Sequence, residues 1–157
     1  MRRKVEISAG LLAFRRRQEL EVLLAHPGGP FWAKKDDGAW TIPKGLAEPG
    51  ADLLATAQRE FTEETNLAAP GAFIPLTPVK QKSGKIVHGW AFEADFDLAA
   101  FASNVFEMEW PPRSGRRQSF PEIDRIAYFT APAAMTKLVA YQRPFLVELQ
   151  SRIAAGG

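Results

Sequence analysis

Three glutamates, Glu60, Glu63 and Glu64, stand at positions i, i+3 and i+4 of a segment whose spacing predicts a helix. Residues three and four apart share one face of a helix, so the three carboxylates project from one ridge. Each like-charged pair at this spacing costs roughly 0.2 to 0.5 kcal/mol, so the ridge is unfavourable unless a cation neutralises it. Mg²⁺ and Mn²⁺ prefer oxygen ligands and bind carboxylates together with waters and substrate phosphates. The triplet therefore indicates a divalent-metal site, and the alternative is a solvated acidic face.

The residues around the triplet follow a longer pattern. Gly45 is followed by five residues and Ala51, and then by seven residues and the run Arg59-Glu60-Phe61-Thr62-Glu63-Glu64-Thr65-Asn66-Leu67. This arrangement resembles the Nudix box, which reads Gly, five residues, Glu, seven residues, Arg-Glu, an apolar residue, any residue, Glu-Glu, any residue, Gly and an apolar residue. Two positions depart from it, because Ala51 replaces the first Glu and Asn66 replaces the last Gly.

The resemblance implies an α/β fold, namely an α/β/α sandwich with a mixed sheet. It also implies hydrolysis of a nucleoside diphosphate linked to another group, with Mg²⁺ or Mn²⁺ as the cofactor. Glu60 and Glu64 are then the expected metal ligands, with Glu63 completing the cluster and the Gly45 carbonyl adding an oxygen. Arg59 lies four residues before Glu63, close enough on a helix to pair with it and hold the ridge in shape.

The general base is expected from outside the box, because the resemblance implies a carboxylate in the loop before a late strand. Glu122 matches that placement best. Glu107 and Glu109 are rivals, although alternation along a strand would place both of them on an exposed face of a sheet. The box residues Glu60 and Glu63 are further alternatives for the base.

Candidate substrate-binding residues are basic. Lys44 stands in the run Pro43-Lys44-Gly45, which resembles the animal asymmetric dinucleoside tetraphosphate hydrolases and makes a dinucleoside polyphosphate the expected substrate. Arg113, Arg116 and Arg117 lie in a late segment without acids, which suits a multiply charged phosphate chain. The alternative is that all four cations are simply solvated.

Two other functions are compatible with the same pattern. A pyrophosphohydrolase of capped or triphosphorylated RNA 5' ends is supported only by arginines in the late segment and near the N-terminus, including Arg2 and Arg3. A nucleotide sensor without catalysis is suggested by Ala51. The sensor ranks last, because all three glutamates of the ridge are present.

Aromatic and imidazole side chains are weaker candidates. The tryptophans include residues that could stack on a base, although most tryptophans of a small domain belong to the core. They are Trp32, Trp40, Trp90 and Trp110. His26 and His88 are predicted to be structural, because no Ser or Cys accompanies them in a nucleophile motif.

Length and composition favour one globular domain over residues 1–157, with 46% apolar and 24% charged residues. A net charge of +2 gives no argument for a nucleic-acid or membrane partner, and a nucleotide is the expected small-molecule partner. The absence of cysteine excludes thiolate sites and is consistent with a cytoplasmic location. No apolar run approaches the roughly 20 residues of a membrane span, and the N-terminal run lacks a secretion pattern.

Apolar periodicity predicts the elements that must position these residues. Runs at 5–14 and 20–26 predict a β-hairpin, and Asp52 and Asn66 are the expected caps of the glutamate-bearing helix. Two prolines and two glycines predict an irregular loop at 43–50, after a short strand at 40–42. Further strands are predicted at 73–80, 85–96, 105–110 and 126–130, and helices at 133–140 and 144–153.

Overall fold

The computed structural model describes residues 5–156, in which the chain forms nine strands and three α-helices. The strands are β1 (Ile7–Arg16), β2 (Leu20–Pro27), β3 (Lys44–Leu46), β4 (Ile74–Pro75), β5 (Val79–Lys80), β6 (Ile86–Glu93), β7 (Val105–Glu109), β8 (Arg117–Pro121) and β9 (Ile123–Thr130). The helices are α1 (Leu53–Thr65), α2 (Ala131–Lys137) and α3 (Arg143–Gly156), with 3₁₀ turns at Leu98–Ala100 and Ala140–Gln142.

The main sheet is mixed. Its strand order is β4-β6-β1-β2-β9, with β3 paired to β1 and β5 paired to β6. The pair β1 and β6 is parallel, whereas the other pairs of this sheet are antiparallel. Strands β7 and β8 form a separate antiparallel hairpin. The predicted hairpin of the first two strands is confirmed, since β1 and β2 pair in antiparallel register.

Both faces of the sheet are covered, because successive side chains of a strand point to opposite faces. On β1, Leu11 and Ala13 belong to a cluster that includes Phe61 of α1. Leu12 and Phe14 belong to a second cluster, together with residues of α2 and α3 such as Ala134 and Leu149. The arrangement is the expected α/β/α sandwich, with α1 on one face and the two later helices on the other.

Helix α1 has the predicted boundaries. The Asp52 carboxylate accepts hydrogen bonds from the backbone N–H groups of Leu54, at 3.0 Å, and Ala55, at 3.3 Å. Asn66 ends the helix in the left-handed region with φ 62°, which Asn tolerates better than most residues. Phe61 is fully buried against the sheet, and its packing fixes the position of α1 and of the glutamates beside it.

Several local predictions were wrong. Strand β3 lies inside the segment expected to be irregular, where Gly45 pairs with Ala9 of β1. Residues 40–42 form isolated bridges instead of a strand. The single strand predicted at 73–80 is divided into the two short strands β4 and β5, and β8 lies where no element was predicted. For β3 and for Trp40 and Thr41, partners distant along the chain decide the conformation, and local composition carries no information about those partners.

Between residues 5 and 156, none of the helices has both the length and the apolar character needed to cross a membrane.

Candidate active site

A cavity of about 290 Å³ opens beside the C-terminal half of α1. Its polar lining includes Lys44 of β3, Glu64 of α1 and Glu122 between β8 and β9. Trp32 and Tyr141 contribute aromatic walls. The cavity therefore brings together three of the site residues that the sequence predicts, from three separate parts of the chain.

Glu64 is the most deeply buried acid of the predicted site, with 7% of its surface exposed. The pKa of its carboxyl is raised to about 9, mainly because the group is buried on the last turn of α1. The negative charges of Glu60 and Glu122 contribute to this rise, and the positive charge of Lys44 opposes it. Without a cation, the carboxyl is therefore protonated near neutral pH. A bound cation would favour the ionised form of this carboxyl, which is the behaviour expected of a metal ligand.

Glu60 packs directly on the backbone of β3. A Cβ atom placed on Gly45 would overlap the Glu60 carboxylate, so glycine is required for this approach. Burial is also the main reason that the pKa of Glu60 is raised. Two residues of the sequence pattern that are 15 positions apart, Gly45 and Glu60, are therefore in direct contact in the structure.

Arg59 and Glu63 lie on the exposed side of the ridge. The Arg59 guanidinium donates to both carboxylate oxygens of Glu63, at 3.1 and 3.2 Å, and its Nη1 also lies 3.2 Å from Glu60 Oε1. The structure thus places Arg59 as the predicted partner of Glu63. Because Glu63 is occupied by this ion pair and is half exposed, it is less available to a metal ion than Glu60 and Glu64.

Lys44 is the cationic side chain of the cavity. Burial lowers the pKa of its ammonium group, and the carboxylates of Glu64 and Glu60 oppose that change. The side chain is therefore not a freely solvated surface lysine, which was the alternative to a role in substrate binding.

Glu122 lies between β8 and β9, at the placement expected for the general base. Its backbone N–H donates to the Asn104 carbonyl at 2.8 Å, and its carbonyl accepts from the Gly28 N–H at 2.9 Å, which fixes the backbone at the cavity. Its side chain lies near enough to Glu60 and Glu64 to raise the pKa of each.

The rival acids lie on β7. Glu107 is 3.9 Å from the Arg117 Nε atom, and Glu109 accepts from the backbone N–H of Arg113 at 2.8 Å. Both side chains are exposed and neither lines the cavity. Glu122 is therefore the better placed of the three candidates outside the box.

The late arginines lie at the turn of the β7–β8 hairpin. Arg113, Arg116 and Arg117 are exposed and do not line the cavity. The turn lies against the loop at 28–39, where the Phe31 and Trp110 rings meet edge to face with centroids 5.3 Å apart. The arginines are therefore at the side of the cavity formed by that loop, and not inside it.

Arginines near the N-terminus lie in a different environment. Arg2 and Arg3 are outside the described residues. Arg15 pairs with Glu21 and Asp95, and Arg17 pairs with Asp95. These ion pairs reduce the positive charge at the end of β1 that could attract a nucleic acid.

Sequence reasoning missed Tyr141, which lines the cavity from the 3₁₀ turn before α3. The buried amide of Gln142 donates to the Tyr141 hydroxyl at 3.0 Å and accepts from the Ile42 N–H at 2.9 Å. No motif marks this tyrosine, because its position depends on the docking of a C-terminal turn. Of the tryptophans, Trp32 lines the cavity, whereas Trp40 is buried in the core.

The donor set fits a divalent cation. The partly buried carboxylate of Glu60 and the buried carboxylate of Glu64, near the Gly45 backbone, are hard oxygen ligands whose mutual repulsion a cation would relieve. In the part of the chain that the structure describes, no three acidic or histidine side chains already converge on one point. Full coordination would therefore include water and substrate oxygens, which is the usual mode for Mg²⁺.

Comparisons with known proteins identify the family of this chain. A family model described as the NUDIX domain matches residues 4–149. No curated protein matched the sequence.

Among solved structures, a C. elegans Ap4A hydrolase in a binary complex is 22% identical, with a TM-score of 0.64 over 96% of this chain and 99% of that chain. The NUDIX domain of Shewanella oneidensis NrtR, complexed with ADP ribose, is 15% identical, with a TM-score of 0.64 over 96% and 90%. A mutT/nudix family protein from Listeria innocua is 16% identical, with a TM-score of 0.65 over 98% and 97%.

These structures share the fold, and the family model covers most of the chain. The chain therefore belongs to the NUDIX family, whose hydrolases act on phosphoanhydride bonds of nucleotide derivatives and generally need divalent metal ions.

Proposed function

We propose that this protein is a pyrophosphohydrolase that uses Mg²⁺ or Mn²⁺ to cleave a nucleoside diphosphate derivative, with a dinucleoside polyphosphate as the leading substrate. The observation that carries the proposal is the cavity in which buried Glu64, Lys44 and Glu122 meet, beside the contact of Glu60 with Gly45. The similar structures of an Ap4A hydrolase and of a NUDIX domain bound to ADP ribose support this class of substrate.

Glu60, Glu64 and the Gly45 carbonyl are the groups that would hold the cation. When bound, a divalent cation neutralises phosphate oxygens and lowers the pKa of water, which makes a pyrophosphate susceptible to attack. Arg59 keeps the Glu63 carboxylate on the outer side of the ridge. The chain therefore supplies a pocket in which the Glu64 carboxyl is protonated in the absence of a cation and would be ionised when a cation is bound.

Lys44 binds the phosphate chain, because its partly buried ammonium group lies on the cavity wall beside the carboxylates. Glu122 accepts a proton on a carboxylate oxygen from the attacking water. Trp32 and Tyr141 offer apolar surfaces on which a nucleoside can pack. Phosphate, water and nucleoside each have a partner in one cavity.

The three arginines of the β7–β8 turn extend the site toward distal phosphates. Arg113, Arg116 and Arg117 are exposed beside the loop that carries Trp32, and a longer phosphate chain that leaves the cavity on that side would meet them. The same observation favours triphosphorylated or capped RNA ends as the second candidate substrate. A steep fall of RNA affinity with salt would favour this alternative.

The test is hydrolysis of a panel of nucleotide derivatives with Mg²⁺ or Mn²⁺, with products identified by mass and a chelator as the control. The panel contains dinucleoside polyphosphates, ADP-ribose and triphosphorylated RNA. We expect chelator-sensitive cleavage of a phosphoanhydride bond in at least one compound. Absence of cleavage across the panel, with the metal ions present, would contradict the proposal.

The base is tested by Glu122→Gln, with Glu109→Gln as the matched control on the neighbouring hairpin. We expect Glu122→Gln to lower kcat by about a hundredfold while KM changes little, since a base acts in the chemical step. Glu109→Gln should keep the wild-type kcat. If the effects of the two variants are reversed, the base lies on β7.

A further inference from the structure

His26 lies at the end of β2 and is fully buried, yet both of its ring nitrogens have polar partners. Its Nδ1 atom is 2.8 Å from Asp124 Oδ1, and its Nε2 atom is 2.6 Å from the Lys35 carbonyl oxygen. An ionised carboxylate and a carbonyl are hydrogen-bond acceptors. Both contacts are therefore satisfied together when each ring nitrogen carries a proton, because a neutral imidazole can donate only one hydrogen bond.

The backbone directs Asp124 toward this ring. His26 pairs with Arg125 and Pro27 pairs with Ile123, so Asp124 is the extra residue of a β-bulge between β2 and β9. A bulge re-aims a side chain that a regular ladder would direct elsewhere. The bulge thus places the Asp124 carboxylate against the His26 ring within the sheet.

The other partner of His26 belongs to the loop at 28–39, which carries Trp32. The Lys35 N–H donates to the Trp32 carbonyl at 3.0 Å, and the Lys35 ammonium lies 5.0 Å from the centre of the Trp32 ring. The peptide groups of Trp32 and Lys35 thus form one turn, and His26 binds the carbonyl at its end. Trp32 in turn lines the catalytic cavity.

Other hydrogen bonds attach the loop on either side of this turn. The Gly28 N–H donates to the Glu122 carbonyl at 2.9 Å, and the Gly38 N–H donates to the Thr136 carbonyl at 3.0 Å. The Lys137 ammonium also binds Asp36 and Asp37. These bonds fix the two ends of the loop, and the bond from His26 fixes the turn that places Trp32.

We infer that His26, braced by Asp124, is a positioning residue that holds Trp32 as a wall of the cavity and thereby sets the affinity for the nucleotide substrate. The substrate part of this inference rests on the proposed function. Because His26 does not line the cavity, it acts through Trp32 and not on the reacting atoms. It therefore affects KM far more than kcat.

The first test is hydrogen exchange in His26→Phe, which keeps an aromatic ring against Trp40 and removes both polar contacts. We expect the amides of Lys35 and Ala39, which are hydrogen-bonded within the loop, to exchange at least about tenfold faster. His88→Phe on β6 is the matched control and should leave loop exchange unchanged. Unchanged exchange in a folded His26→Phe variant would overturn the inference, whatever the enzyme hydrolyses.

The second test is steady-state kinetics with the nucleotide that the wild type hydrolyses best. We expect His26→Phe to raise KM by about tenfold with kcat within about twofold, and the same change in Trp32→Ala. The double variant should have the same KM as Trp32→Ala alone, because both substitutions act through the same wall of the cavity. A comparable loss of kcat, or full additivity, would overturn the positioning role. A wild type that hydrolyses nothing would refute the proposed function, and the exchange test would still decide the loop attachment.

A third variant covers the case in which His26→Phe does not fold. Asp124→Ala removes a partly exposed partner and leaves the bond to Lys35. It should raise KM by about threefold and speed exchange of the same amides, by less than His26→Phe would.

Discussion

Two charged regions of this molecule, which we propose to contact the phosphate chain of the substrate, differ in how their charges are held. The pocket at α1 and β3 holds Glu60, Glu64 and Lys44 in positions fixed by packing, and both carboxyl groups have raised pKa values because they are buried. The turn of the β7–β8 hairpin carries arginines exposed to solvent. Charges in the pocket act at close range in a medium that screens them weakly, whereas charges at the turn are screened by water and salt. We therefore expect large effects from the pocket and small ones from the turn.

The largest effect is expected from Glu64→Gln. It removes a charge that would hold the metal while keeping the shape of the side chain, so turnover should fall by at least about a hundredfold. Glu107→Gln, on the exposed face of β7, is the control and should retain wild-type turnover. Rates with saturating Mg²⁺ measure both. Near-normal turnover of Glu64→Gln would remove the glutamate ridge from the mechanism.

Gly45→Ala tests the packing of the pocket without changing any charge. The added methyl group would overlap the Glu60 carboxylate and displace it, so we expect turnover to fall by about tenfold. In a Glu60→Gln background the same substitution should cost much less, because the two residues act through one contact. Independent losses in the double variant would show that the contact carries no function.

Stability in metal-free buffer should depend on pH through Glu64. Its pKa is about 9 in the folded chain against an ordinary value of 4.5. Above pH 4.5 the unfolded chain releases this proton while the folded chain retains it, so folding loses stability as pH rises toward 9. Glu64→Gln should therefore raise the free energy of unfolding at pH 8 by on the order of 1 kcal/mol or more, with no gain at pH 4. Denaturant unfolding at the two pH values measures this, and equal gains at both would contradict the burial of the carboxyl.

A smaller effect is expected at Ala51, which stands where the family pattern has glutamate. The residue is exposed in the turn before α1, and its N–H donates to the Glu48 carbonyl at 3.0 Å. Ala51→Glu adds a negative charge at the position where the family pattern has glutamate and should lower the Mg²⁺ concentration for half-maximal activity by about threefold. Ala51→Gln is the matched control without charge and should not. Superimposable Mg²⁺ titrations for Ala51→Glu and the wild type would place this position outside the reach of the metal.

The smallest effect is expected at the exposed turn. Arg116→Ala combined with Arg117→Ala should raise KM by about twofold for substrates with longer phosphate chains and leave shorter ones unchanged. The measurement is KM across a series of chain lengths at constant ionic strength. Equal changes in KM at every chain length would indicate that these arginines contribute only to solubility.

The sequence predicted what local chemistry determines. Asp52 and Asn66 mark the ends of α1 because capping is decided by the residues at the helix ends, and the hairpin of β1 and β2 follows from apolar runs of the right length. Strand β3 could not be predicted, since its hydrogen bonds go to β1, more than 30 residues away along the chain. The prolines and glycines of the segment at 43–50 affect only the local backbone and give no information about this pairing.

The same division holds for the site. The spacing of Glu60 and Glu64 shows that they share a helix face, but it does not show that Glu64 is buried or that Glu63 is paired outward with Arg59. Tyr141 and the contact between His26 and Asp124 arise where separate elements meet. Such contacts depend on how the 3₁₀ turn before α3 packs against the sheet and on a bulge in β9. No local pattern encodes either feature.

The central claim is that Glu60 and Glu64 hold a divalent cation beside Gly45. Its most direct test is Mn²⁺ binding followed by electron paramagnetic resonance, in the wild type, Glu64→Gln and the control Glu107→Gln. We predict that Glu64→Gln weakens Mn²⁺ binding by at least about tenfold and that Glu107→Gln binds as the wild type does. Equal Mn²⁺ affinity in Glu64→Gln and the wild type would contradict the claim.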